Sequence, residues 1–281
     1  MKVDLFLKVF SLQSNDLNFA EVFVKILVCV KQVPDLDSRF EANATGVWFD
    51  EANLAWRMNE YDEFAVEQAV QLKEQLGEAP EVTVLSIGPD RVLEVIRKAL
   101  AMGCDCGVHL RDPEISLKDP WQVAGIIAAY AGGEGFDLIF TGMQSQDRAS
   151  AQVGVIAAEL LALSCVTTLV GFSFDNGAIT VKRELEGGTR GVVRLRTPAL
   201  LTCQLGLNVP RYPTLPNILK ARKKEIRTIQ AADLPTFAPM AATTGFFPPA
   251  RNWSGIVLEG ELNCLVDKLA EILQEKTAVL R

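Results

Sequence analysis

The fold is decided by the stretch Ile26-Leu27-Val28-Cys29-Val30-Lys31-Gln32-Val33-Pro34-Asp35. Its first five residues are apolar and rich in β-branched side chains, and a lysine, a glutamine and a proline then break the run. An uninterrupted apolar run of this length is typical of a strand that is buried on both faces of a parallel sheet. We therefore expect the folded region to begin here and residues 1–24 to form an N-terminal extension outside it.

Apolar strands and amphipathic helices alternate after this first strand. Further parallel strands are predicted at residues 82–87, 108–110 and 138–140. The spacing of apolar residues predicts helices over 61–76, over 90–102, and from near Arg148 to Leu161. This alternation indicates βαβ units, and therefore an α/β fold with a doubly wound, mainly parallel sheet.

The pattern changes after Ser164. An antiparallel meander added to the sheet is predicted over residues 167–174, 178–185 and 191–195, and one more apolar strand follows at 199–204. The proline-rich stretch 207–217 is predicted to hold no regular element. Residues 230–281 form a C-terminal arm with a helix over 263–273, which we expect to pack on a partner subunit because the arm has no core of its own. Residues 25–229 remain as the main α/β domain.

Composition excludes several classes of protein. The chain has 281 residues and a formal net charge of −7, which argues against a protein that binds nucleic acid. The six cysteines include no C-x-x-C pair and there is one histidine, so the ligands of a structural zinc site are missing. We interpret the cysteines as reduced core thiols, which indicates a cytoplasmic protein. No uncharged apolar run reaches the roughly 18 residues that span a bilayer, so no membrane-spanning segment is expected.

Three segments lie where predicted parallel strands end, which is where ligands bind in open α/β sheets. They are residues 31–35, 86–89 and 141–147. The last segment contains Gly142 and leads into a predicted helix, an arrangement that favours a phosphate. Its spacing matches neither G-x-G-x-x-G nor the P-loop. Nucleotide binding and an ordinary strand-to-helix loop therefore both remain open at this point.

No reaction centre is evident beside this ligand site. No Ser/His/Asp set is visible, and His109, beside a predicted strand, is interpreted as a structural histidine. The carboxylate pairs Glu60/Asp62 and Asp35/Asp37 are interpreted as helix caps and solvated loop charges rather than as acid/base pairs.

Four stretches of the sequence resemble one family. They are residues 26–35, quoted above, Met58-Asn59-Glu60-Tyr61-Asp62-Glu63-Phe64-Ala65-Val66-Glu67-Gln68-Ala69, Ala99-Leu100-Ala101-Met102-Gly103 and Leu207-Asn208-Val209-Pro210-Arg211-Tyr212-Pro213-Thr214-Leu215-Pro216-Asn217-Ile218. Over residues 26–234, their order and spacing are similar to those of the β subunit of electron transfer flavoproteins.

This resemblance implies an adenine nucleotide alpha hydrolase-like α/β fold and a heterodimer with an α subunit. It implies an electron carrier rather than an enzyme, with one FAD held mainly by the α subunit and the interface, and with AMP in the β subunit. Electrons would pass from acyl-CoA or related dehydrogenases to a membrane quinone oxidoreductase.

The resemblance also assigns roles to residues. The segments that contact AMP correspond here to Cys29, Asn59, Glu60, Tyr61, Asp62, Ile87, Gly142, Met143, Gln144, Ser145, Gln146, Asp147, Arg148, Ala149, Ser150, Ala151, Gln152 and Val153. Tyr61 corresponds to an aromatic residue that faces the flavin, whereas Leu36 replaces a tyrosine found near the flavin in some members.

A second set of residues is implied to bind the dehydrogenase. This set, which we call the docking segment, is Arg211, Tyr212, Pro213, Thr214, Leu215, Pro216, Asn217, Ile218, Leu219 and Lys220. Leu215 would be its apolar anchor, stiffened by the prolines on either side. Lys220, Arg222 and Lys223 would meet an acidic rim on the partner.

Three other interpretations remain open. Residues 147–154 are similar to an electron-bifurcating branch of the family that holds a second FAD in place of AMP, whereas residues 214–223 are similar to the ordinary branch, so AMP is favoured. A stand-alone adenine-nucleotide-binding sensor would need neither the proline-rich arm nor the docking segment. A hydrolase on the same fold would need a nucleophile and a base that the sequence does not offer.

Overall fold

A nine-stranded sheet forms the centre of the protein in a computed structural model, which describes residues 24–77, 80–175, 178–247 and 255–276. The chain divides after Phe246 into two units, and the first unit contains the whole sheet. In chain order, the strands are β1 (Lys25–Cys29), β2 (Gln32–Pro34), β3 (Trp56–Met58), β4 (Glu81–Gly88), β5 (Cys106–Arg111), β6 (Leu138–Gly142), β7 (Ser164–Asp175), β8 (Ala178–Glu184), β9 (Arg190–Arg196), β10 (Ala199–Cys203) and β11 (Ile226–Gln230). The helices are α1 (Glu60–Leu76), α2 (Leu93–Met102), α3 (Pro120–Ala131), α4 (Val153–Leu160), α5 (Leu215–Ala221) and α6 (Leu262–Lys276).

The strand order of the sheet is β11-β5-β4-β1-β6-β10-β7-β8-β9, while β2 and β3 pair separately. All pairs from β11 to β7 in this order are parallel, and β7, β8 and β9 form an antiparallel meander. The chain passes from β1 to β4 and β5 on one side and then crosses to β6 on the other side. The order therefore reverses at β1, which leaves a crevice at the carboxyl ends of the neighbouring strands.

Helices cover both faces of the sheet around β1. Ile26 and Val28 belong to an apolar cluster with residues of α1 and α2, and Leu27 belongs to a second cluster with residues of α3 and α4. All three side chains are fully buried. Full burial of an aliphatic side chain contributes about 1.5–3 kcal/mol, so an apolar run on both faces is most favourable in a central strand of this kind.

The structure confirms the predicted fold class, with every predicted parallel strand and all three strands of the meander present. The helix expected to begin near Arg148 instead begins at Val153. Ala149 and Ala151 both have a positive φ, and this left-handed backbone turns the chain before a helix can start.

The prediction of no regular element over residues 207–217 was also wrong, because α5 begins at Leu215. The Thr214 side chain accepts a hydrogen bond from the amide of Asn217 at 3.4 Å, which caps the helix. Pro216 lies in the first turn, where a missing N–H costs nothing. Thr214 and Pro216, both within the stretch predicted to hold no regular element, therefore mark the start of a short helix.

Two further expectations concern the cysteines, predicted to be reduced core thiols, and the absence of a membrane-spanning segment. All six cysteines are free, but Cys264 is exposed rather than part of a core. Within the described part of the chain, no helix is long and apolar enough to cross a membrane.

The first part of the expected C-terminal arm, up to Phe246, belongs to the first unit and packs there on the start of α3. The carboxylate of Asp119 accepts hydrogen bonds from the amides of Met240 at 2.5 Å and Ala241 at 2.8 Å. The Phe237 ring lies edge-on to Trp121, and the two ring centroids are 5.9 Å apart. In the second unit, α6 has no buried residue, and the packing of residues 230–281 on a partner subunit stays a proposal.

The contact between this arm and α3 gives a first prediction. Alanine normally stabilises a helix interior relative to glycine by about 0.5–1 kcal/mol, but a Cβ at Gly125 would lie 2.3 Å from the Phe237 ring. We expect Gly125→Ala to lower the free energy of unfolding by about 1–3 kcal/mol, measured by urea denaturation. Gly133→Ala is the control, since nothing lies within 4 Å of its added Cβ. Equal stability of the two variants would show that the arm does not pack there.

Candidate functional site

A cavity opens at the carboxyl ends of β1, β4 and β6, where the strand order reverses. Its volume is about 170 Å³. A single water needs roughly 10–15 Å³, so this space can hold a small organic molecule. Cys29, Ile87 and Thr141 mark the three strand ends on the wall of this central cavity.

The carboxylate of Asp62 joins two of these strand ends to the start of α1. Its oxygens accept hydrogen bonds from the backbone amides of Lys31, at 2.7 Å, and Gly142, at 3.1 Å. A Cβ on Gly142 would lie 2.2 Å from Asp62 Oδ1, so only glycine permits this approach. Asp62 is buried, and its interpretation as a helix cap or a solvated charge is therefore wrong.

Asn59 holds the loop that follows β6. Its Nδ2 donates to the carbonyl of Gln144 at 2.9 Å, and its Oδ1 accepts from the amide of Gln146 at 3.0 Å. Asn59 occupies the N-cap position of α1 but makes no side-chain capping hydrogen bond. The Asn59 side chain instead fixes the position of the loop after β6, which forms part of the cavity wall.

Burial sets the protonation of two groups at this wall. Desolvation raises the pKa of the Asp62 carboxyl to about 7, against the opposing effect of its backbone hydrogen bonds. Burial, with a smaller contribution from the charge of Asp62, raises the pKa of the Cys29 thiol to about 12. Cys29 is therefore a neutral thiol at physiological pH and not a nucleophile.

Four cationic side chains line the cavity, and three of them form ion pairs. The pairs are Lys31 with Asp147 at 2.6 Å, Arg91 with Glu51 at 3.1 Å, and Lys118 with Asp112 at 3.0 Å. The fourth cation, Arg148, donates to the carbonyls of Ser116 and Lys118, and its guanidinium lies 4.6 Å from the centroid of the Trp48 ring. Within the described residues, Arg148 has no carboxylate at ion-pair distance, so its charge can serve an anionic ligand.

Much of the remaining wall is apolar or aromatic. The side chains concerned are Trp48, Phe49, Trp56, Ile87, Val92, Ile115, Val123 and Ile127. Two buried polar atoms on lining residues, Gln32 Oε1 and Arg91 Nε, have no hydrogen-bond partner in the described structure. Buried polar atoms are normally paired, so these two atoms are free to pair with a water or with a polar group of a ligand. The combination suits a ligand with a planar apolar part and an anionic part.

The structure brings most of the predicted AMP-contact residues together around this cavity. Those that line it are Cys29, Asn59, Asp62, Ile87, Gly142, Met143, Gln144, Ser145, Asp147, Arg148, Ser150, Ala151, Gln152 and Val153. Glu60, Tyr61, Gln146 and Ala149 do not line it. The first three of these support the loop from outside, because Gln146 donates to Glu60 at 2.8 Å and Gln144 donates to the Tyr61 hydroxyl at 3.1 Å.

Sequence reasoning missed the aromatic and cationic residues from other segments. Trp48, Phe49 and Trp56 lie in the connection that contains β3, and Arg91 lies just before α2. The guanidinium of Arg91 lies 3.8 Å from the centroid of the Trp56 ring. The one available signal was the density of aromatic residues in an otherwise polar loop.

The docking segment lies on α1 and α2 and exposes its apolar side chains. Leu215 is 70% exposed and Tyr212 is 93% exposed. Arg211 differs from the rest, since its guanidinium contacts Glu67 and Glu74 of α1. The role of this segment in partner binding stays a prediction.

The known proteins that are similar to this chain belong to one family. Residues 46–234 match the model of the electron transfer flavoprotein domain. The electron transfer flavoprotein subunit beta of Methylophilus methylotrophus is 34% identical over 262 residues, which cover 90% of this chain and 98% of that protein. The chain belongs to the electron transfer flavoprotein β-subunit family. The subunits of Bacillus subtilis, 31% identical over 92% of this chain and 100% of that protein, and of Homo sapiens, 38% identical over 89% and 98%, agree with this assignment.

The β subunits of this family are electron carriers rather than catalytic enzymes. His109 is buried within β5, with Nε2 2.9 Å from the carbonyl oxygen of Gly88, and does not line the cavity. Among the described residues, no cluster of three or more histidine, cysteine or carboxylate groups could hold a metal ion.

The raised pKa of Asp62 predicts a pH-dependent stability. The folded protein keeps the Asp62 proton up to about pH 7, whereas the unfolded chain releases it near an ordinary pKa of about 3.9. The unfolded state therefore binds fewer protons in this window, and the free energy of unfolding falls as the pH rises from about 4 to 7. We expect the melting temperature to fall more steeply between pH 5 and 7.5 in the wild type than in Asp62→Asn. Asp37→Asn, in an exposed loop, should keep the wild-type profile, and parallel profiles for all three proteins would contradict the assignment.

Proposed function

We propose that this chain is the β subunit of a cytoplasmic heterodimer with an electron transfer flavoprotein α subunit. The heterodimer carries electrons from acyl-CoA or related dehydrogenases to a membrane quinone oxidoreductase, and AMP occupies the central cavity as a structural ligand. FAD, held mainly by the α subunit and the subunit interface, supplies the redox chemistry when it is bound. The observation that supports this proposal is that most of the residues which the resemblance assigns to AMP line one cavity, at the reversal of strand order.

The side chains of the cavity fit AMP. Arg148 has no carboxylate partner among the described residues, and Ser145 and Ser150 also line the cavity. The first turn of α4 adds N–H groups that have no partner within the helix. These groups would hold the phosphate, while Ile87 and Val92 offer apolar surface to the adenine ring.

Tyr61 is proposed to lie near the FAD. Its side chain is outside the central cavity, at the start of α1, where its hydroxyl accepts a hydrogen bond from Gln144. A ligand beside Tyr61 would therefore be separate from the AMP but in contact with the same loop. Tyr61→Phe, which removes only this hydrogen bond, is the mildest probe of the contact.

The nucleotide content of the purified heterodimer tests the proposal. After denaturation, chromatography of the released nucleotides should find AMP and FAD in equal amounts. Arg148→Met should weaken AMP binding by about tenfold or more, since a hydrogen bond to a charged group contributes about 1.5–3 kcal/mol, and should leave the FAD in place. Arg194→Met, at an exposed arginine outside the cavity, is the matched control. Loss of AMP in neither variant, or in both, would contradict the assignment of Arg148.

An electron-bifurcating heterodimer with a second FAD in this cavity is the alternative. Trp48 and Trp56 favour it, because they add aromatic surface to the cavity wall on which a flavin ring could pack. The same chromatogram separates the two, since two FAD and no AMP per heterodimer would identify the bifurcating branch.

The docking segment gives a separate prediction about the dehydrogenase. Leu215 is 70% exposed between Pro213 and Pro216, so little entropy is lost when it enters an apolar pocket. Leu215→Ala should slow electron transfer by the equivalent of about 1–3 kcal/mol, while AMP, FAD and stability stay unchanged. Leu185→Ala, at a 43% exposed leucine of another surface, is the control. Stopped-flow reduction by an acyl-CoA dehydrogenase measures the rate for both variants. A wild-type rate for Leu215→Ala would show that Leu215 is not the anchor.

A further inference from the structure

The docking segment is fixed to the body of the protein just before α5 begins. The guanidinium of Arg211 lies between the carboxylates of Glu67 and Glu74, which are about two helical turns apart on α1. Its Nε and Nη2 donate to Glu67 at 2.8 and 3.0 Å, and its Nη1 and Nη2 donate to Glu74 at 2.6 and 2.9 Å. The amide of Arg211 also donates to Glu67 at 3.1 Å. The planar fork of arginine suits such paired contacts, which lysine cannot reproduce.

The charge on Glu67 makes this contact difficult to release. Glu67 is only 3% exposed, and its other hydrogen-bond donor is the neutral amide of Gln71. Moving Arg211 away would leave a carboxylate buried without a cation, which is strongly unfavourable. Glu74 responds to the same contact, since the hydrogen bond from Arg211 lowers the pKa of its carboxyl.

A second arginine fixes the other end of the segment. Arg97 of α2 donates from Nη1 to the carbonyl of Ala221 at 2.6 Å and to that of Lys224 at 2.7 Å. The last carbonyls of a helix have no partner within it, so Arg97 supplies the missing donor where α5 ends. Ala221 is buried beside this contact.

The residues between these two attachments leave their apolar side chains in solvent. Leu215 and Leu219 are 70% and 51% exposed, and Ile218 is 39% exposed. A seven-residue helix is not stable by itself. The attachments at both ends therefore explain why α5 is ordered without a bound partner. An ordered, exposed apolar helix binds a partner without first losing conformational entropy.

We propose that Arg211 and Arg97 are positioning residues that hold α5 in its binding conformation, and that Arg211 does not contact the partner. This inference rests on the proposed function of the docking segment. It changes the role that the resemblance implied for Arg211, from a contact residue to an internal brace. Releasing the brace would lower the fraction of molecules with an ordered α5, and the apparent affinity for the dehydrogenase would fall by the same factor.

Hydrogen exchange of the heterodimer tests the brace without any partner. In Arg211→Lys, the charge stays but the fork is lost, and we expect at least tenfold faster exchange of the amides in residues 217–222. Amides of β1 and β4 should exchange at the wild-type rate. Arg194→Lys, at an exposed arginine of β9 outside the docking segment, is the matched control and should leave all rates unchanged. Wild-type exchange of residues 217–222 in Arg211→Lys would overturn the inference.

Reduction kinetics separate a brace from a direct contact. With an acyl-CoA dehydrogenase that reduces the wild-type heterodimer, Arg211→Lys should lower the second-order rate constant about tenfold at both low and high ionic strength. The limiting rate at saturating dehydrogenase and the flavin spectrum should stay unchanged. If Arg211 instead met an acidic partner surface through its charge, Arg211→Lys would keep that charge and its rate constant would stay near the wild-type value at each ionic strength, because salt screens both side chains alike, and the inference would be overturned.

Two further variants keep the test decisive. If Arg211→Lys does not fold, Glu74→Gln removes only the exposed half of the brace. It should speed the exchange of residues 217–222 and lower the second-order rate constant, each by a smaller factor than Arg211→Lys. Leu215→Ala reports on the proposed function alone. A wild-type rate in Leu215→Ala would overturn the docking role, whereas a slow Leu215→Ala beside a wild-type Arg211→Lys would overturn the brace and leave the docking role intact.

Discussion

The buried carboxylate of Asp62 is the interaction on which the rest of the site depends. It accepts amide hydrogen bonds from Lys31 and Gly142, where β1 and β6 end, and so closes the sheet edge at the point where the strand order reverses. Both hydrogen bonds are part-buried, and the loss of a partner in a buried environment is unfavourable. Asn59, one turn earlier, extends the same arrangement to the loop after β6. The central cavity exists because these strand ends and this loop are held apart at fixed distances.

The helix that begins at these residues also carries the attachment for the docking segment. Asn59 and Asp62 lie at the start of α1, and Glu67 and Glu74 follow along it toward Arg211. The cavity and the exposed Leu215 are therefore positioned by a single rigid element. This placement makes the geometry of α1 a shared requirement of ligand binding and partner binding, without any need for one site to transmit a change to the other.

The sequence predicts most of the sheet but only part of the cavity. The uninterrupted apolar runs at β1, β4 and β6 identify buried parallel strands, and their carboxyl ends place Cys29, Ile87 and Gly142 correctly at one edge. By contrast, α3 is apolar on nearly all sides and shows no helical stripe, so only the pair Asp119 and Gln122 marks its start, as a capping box.

The remaining differences have a common physical cause, which is long-range packing that no local pattern records. Trp48 and Trp56 reach the cavity because guanidinium groups of Arg148 and Arg91, distant in sequence, lie against their rings. Asp62 resembles a helix cap locally, and only the approach of Gly142 across the sheet shows its actual role.

Photolabelling of the heterodimer identifies the residues that surround the nucleotide. The heterodimer, depleted of bound nucleotide, is irradiated with 8-azido-AMP, and the labelled peptides are identified by mass spectrometry. We expect labels only on residues that line the central cavity, and we expect these labels to be lost when excess AMP is present. Labels outside the cavity, or labels that AMP does not suppress, would contradict the proposed location of AMP.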